Sequence, residues 1–330
     1  MTAFRTTPHL RQTEPASSRC WDMLIPLVPL AIYSCVYYGF RPLFVMLVSM
    51  AAAMVFEVLG YALQMKRAPL TDGTAAVTGG VIGLVMSPIV PYWLPIVACG
   101  VAILVAKLPF GGRGRNLFNP AATGLAFVTV CFPTQMFTYP DPERSIADLS
   151  QVFSQASPAA LMKAGATPNI SPMDIVLSNF PGPIGSVMII LVGCMLYLFV
   201  RRASSPSVVL PFLGTCALCA ALFPRVSNGA GASVLLELCA GYLMITAVFL
   251  IADPVTAPRH WLARIVYGAL AGVLVMTLRH VGKFEEGACF AVLLCNLVSN
   301  ILDRNCWKLC YHLPRWVRRL KTAKGGVVDE

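Results

Sequence analysis

Ten apolar segments, each of about 17 to 24 residues, recur along this chain and limit what it can fold into. The hydrocarbon core of a bilayer requires helical segments of about this length. The 330 residues are 57% hydrophobic and only 12% charged, a composition that excludes an ordinary soluble protein. The sequence therefore predicts an all-α polytopic membrane protein. The predicted spans are 21–38, 42–65, 74–90, 91–107, 119–137, 183–200, 206–224, 231–252, 261–278 and 285–302.

The basic residues are distributed unevenly about these spans. With ten spans, 19 of the 25 Lys and Arg residues fall on one side and 6 on the other. Because cytoplasmic loops carry an excess of Lys and Arg, both termini are predicted to be cytoplasmic. This topology accounts for the net charge of +10, so no nucleic-acid partner is expected. The basic C-terminal run Arg315–Lys324 is expected to lie against anionic membrane lipid.

Two halves of the chain share an order of features. A helix of small residues begins near Thr74 and ends at Pro88, and another begins near Gly229 and ends at Pro254. Each is followed by a span, a polar or glycine-rich loop and a second small-residue helix. Because each half has five spans, the second half is predicted to be inverted, and such repeats place sites at paired broken helices. The predicted divisions are a tail 1–20, a first repeat 21–137, a loop 138–182, a second repeat 183–303 and a tail 304–330.

The segment Gly111–Gly124, which reads GGRGRNLFNPAATG, interrupts the apolar pattern. Asn119 and Pro120 are suited to the N-cap and the first turn of a helix. Irregular backbone near the membrane is tolerated only where protein or a polar cavity covers it. A helix N-terminus that points inward favours an anion or a polar cofactor. The alternative is a tight cytoplasmic turn capped by Asn-Pro.

One carboxylate lies within a predicted span in each half, at Glu57 and Glu237. An ionisable residue inside the membrane is expensive, so each is a functional hypothesis by default. The two residues could belong to an ion path, or they could brace helices through buried hydrogen bonds. The sequence contains no chain of further carboxylates between them, which favours bracing.

The one long connection, 138–182, lies between the halves and on the extracytoplasmic side. It contains SQASPAALMKAG at 154–165, followed by Ala166-Thr167-Pro168. Hydroxyl side chains here could carry a modification, but the default prediction is a solvated linker with one capped helical turn.

Four separated stretches carry a family resemblance. They are DGTAAVTG at 72–79, the segment 111–124, ADPVTAP at 252–258, and the run 264–304 with YGALAGVL and GACFAVLLCN. Together these stretches, in this order, resemble the RnfD/NqrB family over residues 20 to 304. The resemblance is weakest in the loop 138–182.

The resemblance implies a subunit that carries electrons and is not a complete enzyme by itself. It implies a place in an Rnf complex of the bacterial cytoplasmic (inner) membrane, beside RnfG, RnfC, RnfA, RnfE and RnfB. Such a complex moves electrons between ferredoxin and NAD and couples this flow to Na⁺ or H⁺ translocation. The implied cofactors are FMN, joined covalently through a hydroxyl side chain, and riboflavin or another non-covalent flavin. No catalytic acid, base or nucleophile is predicted.

The resemblance also implies an acceptor for the covalent FMN. The family motif has a threonine in a Ser-x-Ala-Thr-Pro-type segment, and the register of the residues that follow puts Ser157 at that position. Serine offers the same hydroxyl, but the residue type departs from the family pattern. Thr167 is a literal Ala-Thr-Pro threonine and the rival acceptor, although its following residues fit worse. A chain without covalent flavin is the third alternative.

Five further polar residues are candidates for contacts to a flavin ring inside the membrane. Asn116, Asn119 and Thr123 would hydrogen-bond its edge from the first repeat, and Asp253 or Thr256 would do so from the second. For Asn119 and Asp253, helix capping is an equally good interpretation.

Two other functions remain open on the sequence. Ten spans, an inverted repeat, broken helices and two membrane carboxylates would also suit a transporter or channel for a small solute. A related subunit that lacks its covalent flavin and serves as a scaffold is the other alternative.

Overall fold

The computed structural model describes residues 16–65, 73–112, 114–141, 154–226 and 229–312. Most of the predicted N-terminal tail, the basic run Arg315–Lys324 and residues 142–153 of the long loop lie outside these ranges. Within them the chain is helical apart from one two-residue antiparallel pair, β1 (Tyr139–Pro140) with β2 (Ser154–Gln155). The predicted all-α polytopic membrane fold is confirmed.

The first half is built from helices that start and stop at prolines and glycines. The third helix has Pro42 in its first turn, and the fourth ends just before the Ser87-Pro88 pair. The elements are α1 (Ala16–Leu24), α2 (Leu27–Tyr38), α3 (Arg41–Leu63), α4 (Thr74–Val85), α5 (Trp93–Gly100), a π-helix π1 (Val101–Lys107), α6 (Pro120–Cys131) and α7 (Pro133–Met136).

The long loop contributes two short helices, and the second half repeats the use of a π-helix. Pro158, Pro172 and Pro206 each occupy the first turn of a helix, where a missing N–H costs nothing. The elements are α8 (Pro158–Lys163), α9 (Pro172–Leu177), α10 (Met188–Val200), α11 (Pro206–Leu222), α12 (Ala230–Cys239), α13 (Leu243–Ile245), a π-helix π2 (Thr246–Leu250), α14 (Trp261–Val281) and α15 (Ala288–His312).

Each of the ten predicted spans contains helix. Three helical stretches are long and apolar enough to cross a membrane unaided: Arg19–Tyr38, Arg41–Leu63 and Trp261–Val281. The stretches Ala230–Cys239 and Leu243–Leu250 meet the same criterion together, but they are bent by 64°. The remaining apolar helices of the first half are shorter, which suits spans that are broken or that stop within the membrane. The inverted relation between the halves stays a prediction.

The last predicted span, 285–302, begins later in the structure than in the prediction. Its helix, α15, starts at Ala288, so Glu285 and Glu286 lie in the loop before it. These two carboxylates therefore belong to the connection between α14 and α15 and are not part of the membrane-spanning helix.

Small residues let the helices approach closely. α3 and α4 are in such close contact that a Cβ added to Gly79 would lie 2.6 Å from the carbonyl oxygen of Ser49. The Ser49 hydroxyl in turn donates to the carbonyl of Gly79 at 2.6 Å. Packing of this kind replaces the hydrophobic effect as the force that joins helices in a membrane.

The second-half segment 231–252 differs from the continuous helix predicted for it. The helix breaks at Ala240, whose backbone is extended, and Gly241, whose φ is +67°. Arg279 donates to the carbonyls of Glu237 at 2.6 Å and Ala240 at 2.9 Å, at the C-terminal end of α12. A Cβ on Gly241 would overlap the carboxylate of Glu286. The break therefore depends on a glycine and on a cation that satisfies the freed carbonyls.

The turn after α4 is held in a similar way in the first half. Arg41 donates to the carbonyls of Pro88 and Val90, at 3.1 and 3.2 Å. The backbone N–H of Gly185, from the connection to the second half, donates to the carbonyl of Leu84 at 2.8 Å. An arginine thus satisfies the non-helical carbonyls beside both breaks.

Candidate functional site

A cavity of about 260 Å³ lies where the two halves meet, on the predicted cytoplasmic side. The last residue of π1 lies on one wall and the end of π2 on another, and π-helices are frequent at functional sites. The described lining residues are Arg19, Cys20, Met23, Thr74, Val77, Thr78, Val81, Lys107, Gly114, Asn116, Asn119, Pro120, Ala121, Phe249, Asp253, Pro254 and Val255.

Asn119 begins α6 and ties the two halves together. Its side-chain oxygen accepts from the N–H of Ala122 at 3.2 Å, which is the predicted N-cap. Its side-chain nitrogen donates to the carbonyl of Leu250, the last residue of π2, at 3.0 Å. Both polar atoms of this buried side chain are therefore engaged within the protein. Asn119 shapes the cavity wall and holds it in place.

Asn116 offers the cavity a free acceptor. The Oδ1 atom of Asn116 is buried and has no hydrogen-bond partner among the described residues. Leaving a buried acceptor unpaired costs about 1–3 kcal/mol, so such an atom is a strong indication of a ligand or an ordered water. Asn116 lines the cavity, and a donor group on an occupant would satisfy it.

A buried ion pair forms the floor of the cavity. Lys107 donates to the carboxylate of Glu57 at 2.5 Å and to the hydroxyl of Thr74 at 2.7 Å. The side chains of Lys107 and Glu57 are 2% and 3% exposed. Lys107 and Thr74 line the cavity, whereas Glu57 lies behind them. The predicted membrane carboxylate Glu57 is therefore paired with a cation that faces a potential ligand.

Asp253 provides the acidic residue of the opposite wall. It accepts from the N–H of Val255 at 3.1 Å and from the hydroxyl of Thr256 at 3.3 Å, so it caps the turn after π2. Asp253 lines the cavity, and Thr256 is buried behind it. The hydroxyl of Thr123 donates to the carbonyl of Asn119 at 3.0 Å and does not line the cavity. Of the five predicted ring contacts, the structure thus brings Asn116, Asn119 and Asp253 to one cavity.

Ser157 lies far along the chain from this cavity, at the N-cap of α8. Its hydroxyl accepts from the N–H of Ala160 at 3.0 Å and donates to the carboxylate of Glu285 at 2.6 Å. Ser157 is only 2% exposed. The rival acceptor Thr167 is exposed. The residue that fits the motif is buried, and the one that fits it less well is accessible.

The surroundings of Ser157 are polar and partly charged. Lys163 donates to the carbonyl of Phe284 at 2.7 Å, which ties the end of α8 to the loop before α15. Burial raises the pKa of Glu285, in that loop, to about 7, while its hydrogen bond from Ser157 acts in the opposite direction. Burial also lowers the pKa of Lys163.

A second cavity, of about 350 Å³, lies beside this segment. Ala156 and Pro158, on either side of Ser157, line it, but Ser157 itself does not. The other described lining residues are Asp141, Gln155, Leu161, Asn169, Ile170, Asp174, Asn179, Phe180 and Pro181.

Glu237, the predicted membrane carboxylate of the second half, lies in a network of arginines. It accepts from Arg225 at 2.5 Å and from Arg279 at 2.9 Å. Arg279 also pairs with Glu286, and the side chains of Arg279, Glu237 and Glu286 are at most 1% exposed. No described residue of this network lines the cavity of about 260 Å³.

The sequence reasoning missed Lys107 and Arg279 as partners of the two carboxylates. Both had been counted only as charges at the ends of predicted spans. A usable signal was present: each lies at the end of its span nearest to the depth of the acidic residue that it pairs with. An unpaired charge at that depth is costly, so a nearby opposite charge was to be expected.

Comparisons with known proteins agree on one family. The profile of the NQR2, RnfD, RnfE family matches residues 3–311. The RnfD component of the ion-translocating oxidoreductase complex of Tolumonas auensis is 30% identical over an alignment that covers 92% of this chain and 97% of the relative. The protein of the same name from Salmonella paratyphi B is also 30% identical and is covered to 95%. The corresponding component of the proton-translocating ferredoxin:NAD(+) oxidoreductase complex of Clostridium ljungdahlii is 27% identical, with 91% and 92% covered.

Proposed function

The chain belongs to the NQR2, RnfD, RnfE family, and from that premise we propose that it is a membrane component of an Rnf-type ion-translocating oxidoreductase complex. The observation that carries this proposal is the near full-length similarity to relatives that are named as the RnfD component of such complexes. In this role the chain passes electrons between ferredoxin and NAD together with RnfG, RnfC, RnfA, RnfE and RnfB. The electron flow drives Na⁺ or H⁺ across the bacterial inner membrane.

We propose that the cavity between the halves holds a non-covalent flavin such as riboflavin. The unpaired acceptor of Asn116, the ammonium of Lys107 and the apolar side chain of Phe249 suit a flat ring with polar edges. A flavin supplies one- and two-electron chemistry, while the protein fixes its position and tunes its potential. In this role Asn119 and Asp253 hold the two walls at a fixed distance.

We further propose that FMN is joined through its phosphate to Ser157 on the extracytoplasmic side. The hydroxyl is oriented by its N-cap bond, and Lys163 and Glu285 lie beside it. Protonated Glu285 would donate to a phosphate oxygen, and its raised pKa keeps that form accessible near neutral pH. Because Ser157 is buried, α8 must separate from the loop at Glu285 before a modifying enzyme can reach the hydroxyl.

Mass spectrometry of the denatured chain from its native host tests the covalent part of the proposal. We expect an FMN-sized adduct on the peptide that contains Ser157 and its loss in Ser157→Ala. Thr167→Ala is the matched control and should keep the adduct. An adduct that moves with Thr167 would transfer the role to that residue. A chain with no adduct at either position would contradict covalent flavin.

Reconstitution of the whole complex tests the functional part. Vesicles with the wild-type complex are expected to accumulate Na⁺ or H⁺ when reduced ferredoxin and NAD are supplied. A complex that lacks this chain should lose both electron transfer and ion uptake. Normal electron transfer without the chain would contradict the proposal.

A further inference from the structure

The ammonium of Lys107 has one donor that the protein does not use. An ammonium carries three N–H donors. Within the described residues, Glu57 and Thr74 accept two of them. Lys107 is 2% exposed and lines the cavity, so the remaining N–H has no access to bulk solvent. The third donor is therefore available to an occupant of the cavity.

The position of Glu57 makes this cation adjustable. Glu57 contacts Lys107 from behind and does not line the cavity. It offsets part of the ammonium charge without touching an occupant. At short range in a poorly solvated site, the attraction between unit charges amounts to several kcal/mol, so the balance between the two side chains sets the potential felt in the cavity.

We infer that Lys107 binds the occupant of this cavity and favours its more negative form, with Glu57 as the positioning residue that limits the effect. This inference rests on the proposed function, in which the occupant is a flavin ring. Reduction adds negative charge to such a ring, and a hydrogen bond from an ammonium to a charged acceptor is stronger than one to a neutral acceptor. Lys107 therefore raises the midpoint potential of the ring, and Glu57 lowers it.

Opposite shifts distinguish this role from simple bracing. Lys107→Met leaves the Glu57 charge beside the cavity and should lower the potential. Glu57→Gln leaves the Lys107 charge without its counter-ion and should raise it. Lys107→Arg keeps the positive charge and is the matched control. A pair that only braced α3 against π1 would give lower stability in both of the first two variants and no opposed change in potential.

The experiment uses the full-length chain purified in detergent, in a Ser157→Ala, Thr167→Ala background that excludes covalent flavin. Non-covalent flavin per chain is measured after denaturation, and the midpoint potential by spectroelectrochemical titration. We expect at least a tenfold change in the ratio of affinities for reduced and oxidised flavin in each direction. A tenfold change corresponds to about 30 mV for a two-electron couple. Lys107→Arg should stay within a threefold change of the parent.

Each possible result decides the question. Shifts in the same direction, or unchanged potentials in variants that retain flavin, would overturn the role of Lys107 while the cavity keeps its proposed occupant. Absence of flavin from the parent chain would overturn the occupant and, with it, this inference. If Lys107→Met fails to fold, Glu57→Gln alone decides, because its potential must rise.

Discussion

The two buried ion clusters use different cations in different settings. We call Glu57 and Lys107 the lysine pair, and Arg225, Glu237, Arg279 and Glu286 the arginine network. Both have equal numbers of acidic and basic side chains. The lysine pair lies against a cavity, whereas the network satisfies the carbonyls at the break after α12.

This difference separates a site that responds to a ligand from one that holds a backbone. A lysine can release its proton when its surroundings change, but an arginine remains charged in proteins. Arginine also presents several donors in a fixed plane, which suits two carboxylates and two carbonyls at once. We therefore expect the arginine network to contribute mostly stability and the lysine pair mostly function.

The largest effect is expected from Arg279→Gln. This change leaves two buried carboxylates and the carbonyls of Glu237 and Ala240 without their donor, and removal of one member of a buried ion pair costs about 3–5 kcal/mol. Thermal unfolding of the detergent-solubilised chain measures the loss. Arg259→Gln, at an exposed side chain, is the control. Unfolding of Arg279→Gln at the wild-type temperature would contradict the structural role of the network.

A smaller effect is expected when one carboxylate is neutralised in each cluster. Glu237→Gln leaves excess positive charge on two arginines and should cost about 3 kcal/mol. Glu57→Gln should cost about 1 kcal/mol, because Lys107 can adjust its protonation. Unfolding of the two variants under identical conditions gives the comparison. Equal losses would remove the distinction drawn between the clusters.

The double variant Glu57→Gln, Lys107→Met sharpens the same point. Replacing both members of a buried pair is often nearly neutral, whereas breaking the pair is costly. We therefore expect the double variant to be at least as stable as Lys107→Met alone. Additive losses would mean that the two side chains are not coupled.

Asn119→Ala tests the tie between the halves beside the lysine pair. It removes both an N-cap and the bond to the carbonyl of Leu250, so we expect a loss of about 1–2 kcal/mol. Thr123→Val is the matched control, since it removes only a bond to the carbonyl of Asn119 within α6. Loss of non-covalent flavin in Asn119→Ala but not in Thr123→Val would connect the tie to the cavity. Equal behaviour of the two variants would contradict that connection.

The smallest effect is expected from Glu285, next to the arginine network. Its pKa in the folded chain, about 7, exceeds the ordinary value of 4.5. The folded state therefore holds the proton more tightly, and this contribution to stability is complete below pH 4.5 and is lost as the pH rises through 7. In the Ser157→Ala background, Glu285→Gln should flatten the pH dependence of unfolding between these values. A pH profile that Glu285→Gln leaves unchanged would mean that this carboxyl does not titrate there.

The sequence was sufficient for features that depend on local chemistry. The spans follow from apolar length, the start of α6 from Asn119-Pro120, and the end of α4 from Ser87-Pro88. The helical turn after Ser157 follows from a hydroxyl residue before a proline. Each of these depends on residues a few positions apart, which a reading along the chain can weigh.

The pairings of the clusters required knowledge that the sequence does not contain. Spans such as α4 are apolar on all sides, so their pattern does not indicate which face meets which neighbour. The pairs Glu57 with Lys107 and Glu237 with Arg279 depend on those faces. The break at Gly241 was missed for the same reason: it depends on a carboxylate and an arginine that come from beyond its own helix.

The tie between Asn119 and Leu250 has a consequence for the order of biosynthesis. The two residues are 131 positions apart, and the wall contributed by Asp253 comes later still. A nascent chain that has inserted only its first half has one wall of the cavity and nothing to close it. Loading of a ligand must therefore wait until translation has passed this point and the second half has entered the membrane. Riboflavin supply during synthesis should thus matter less than its supply to the finished chain.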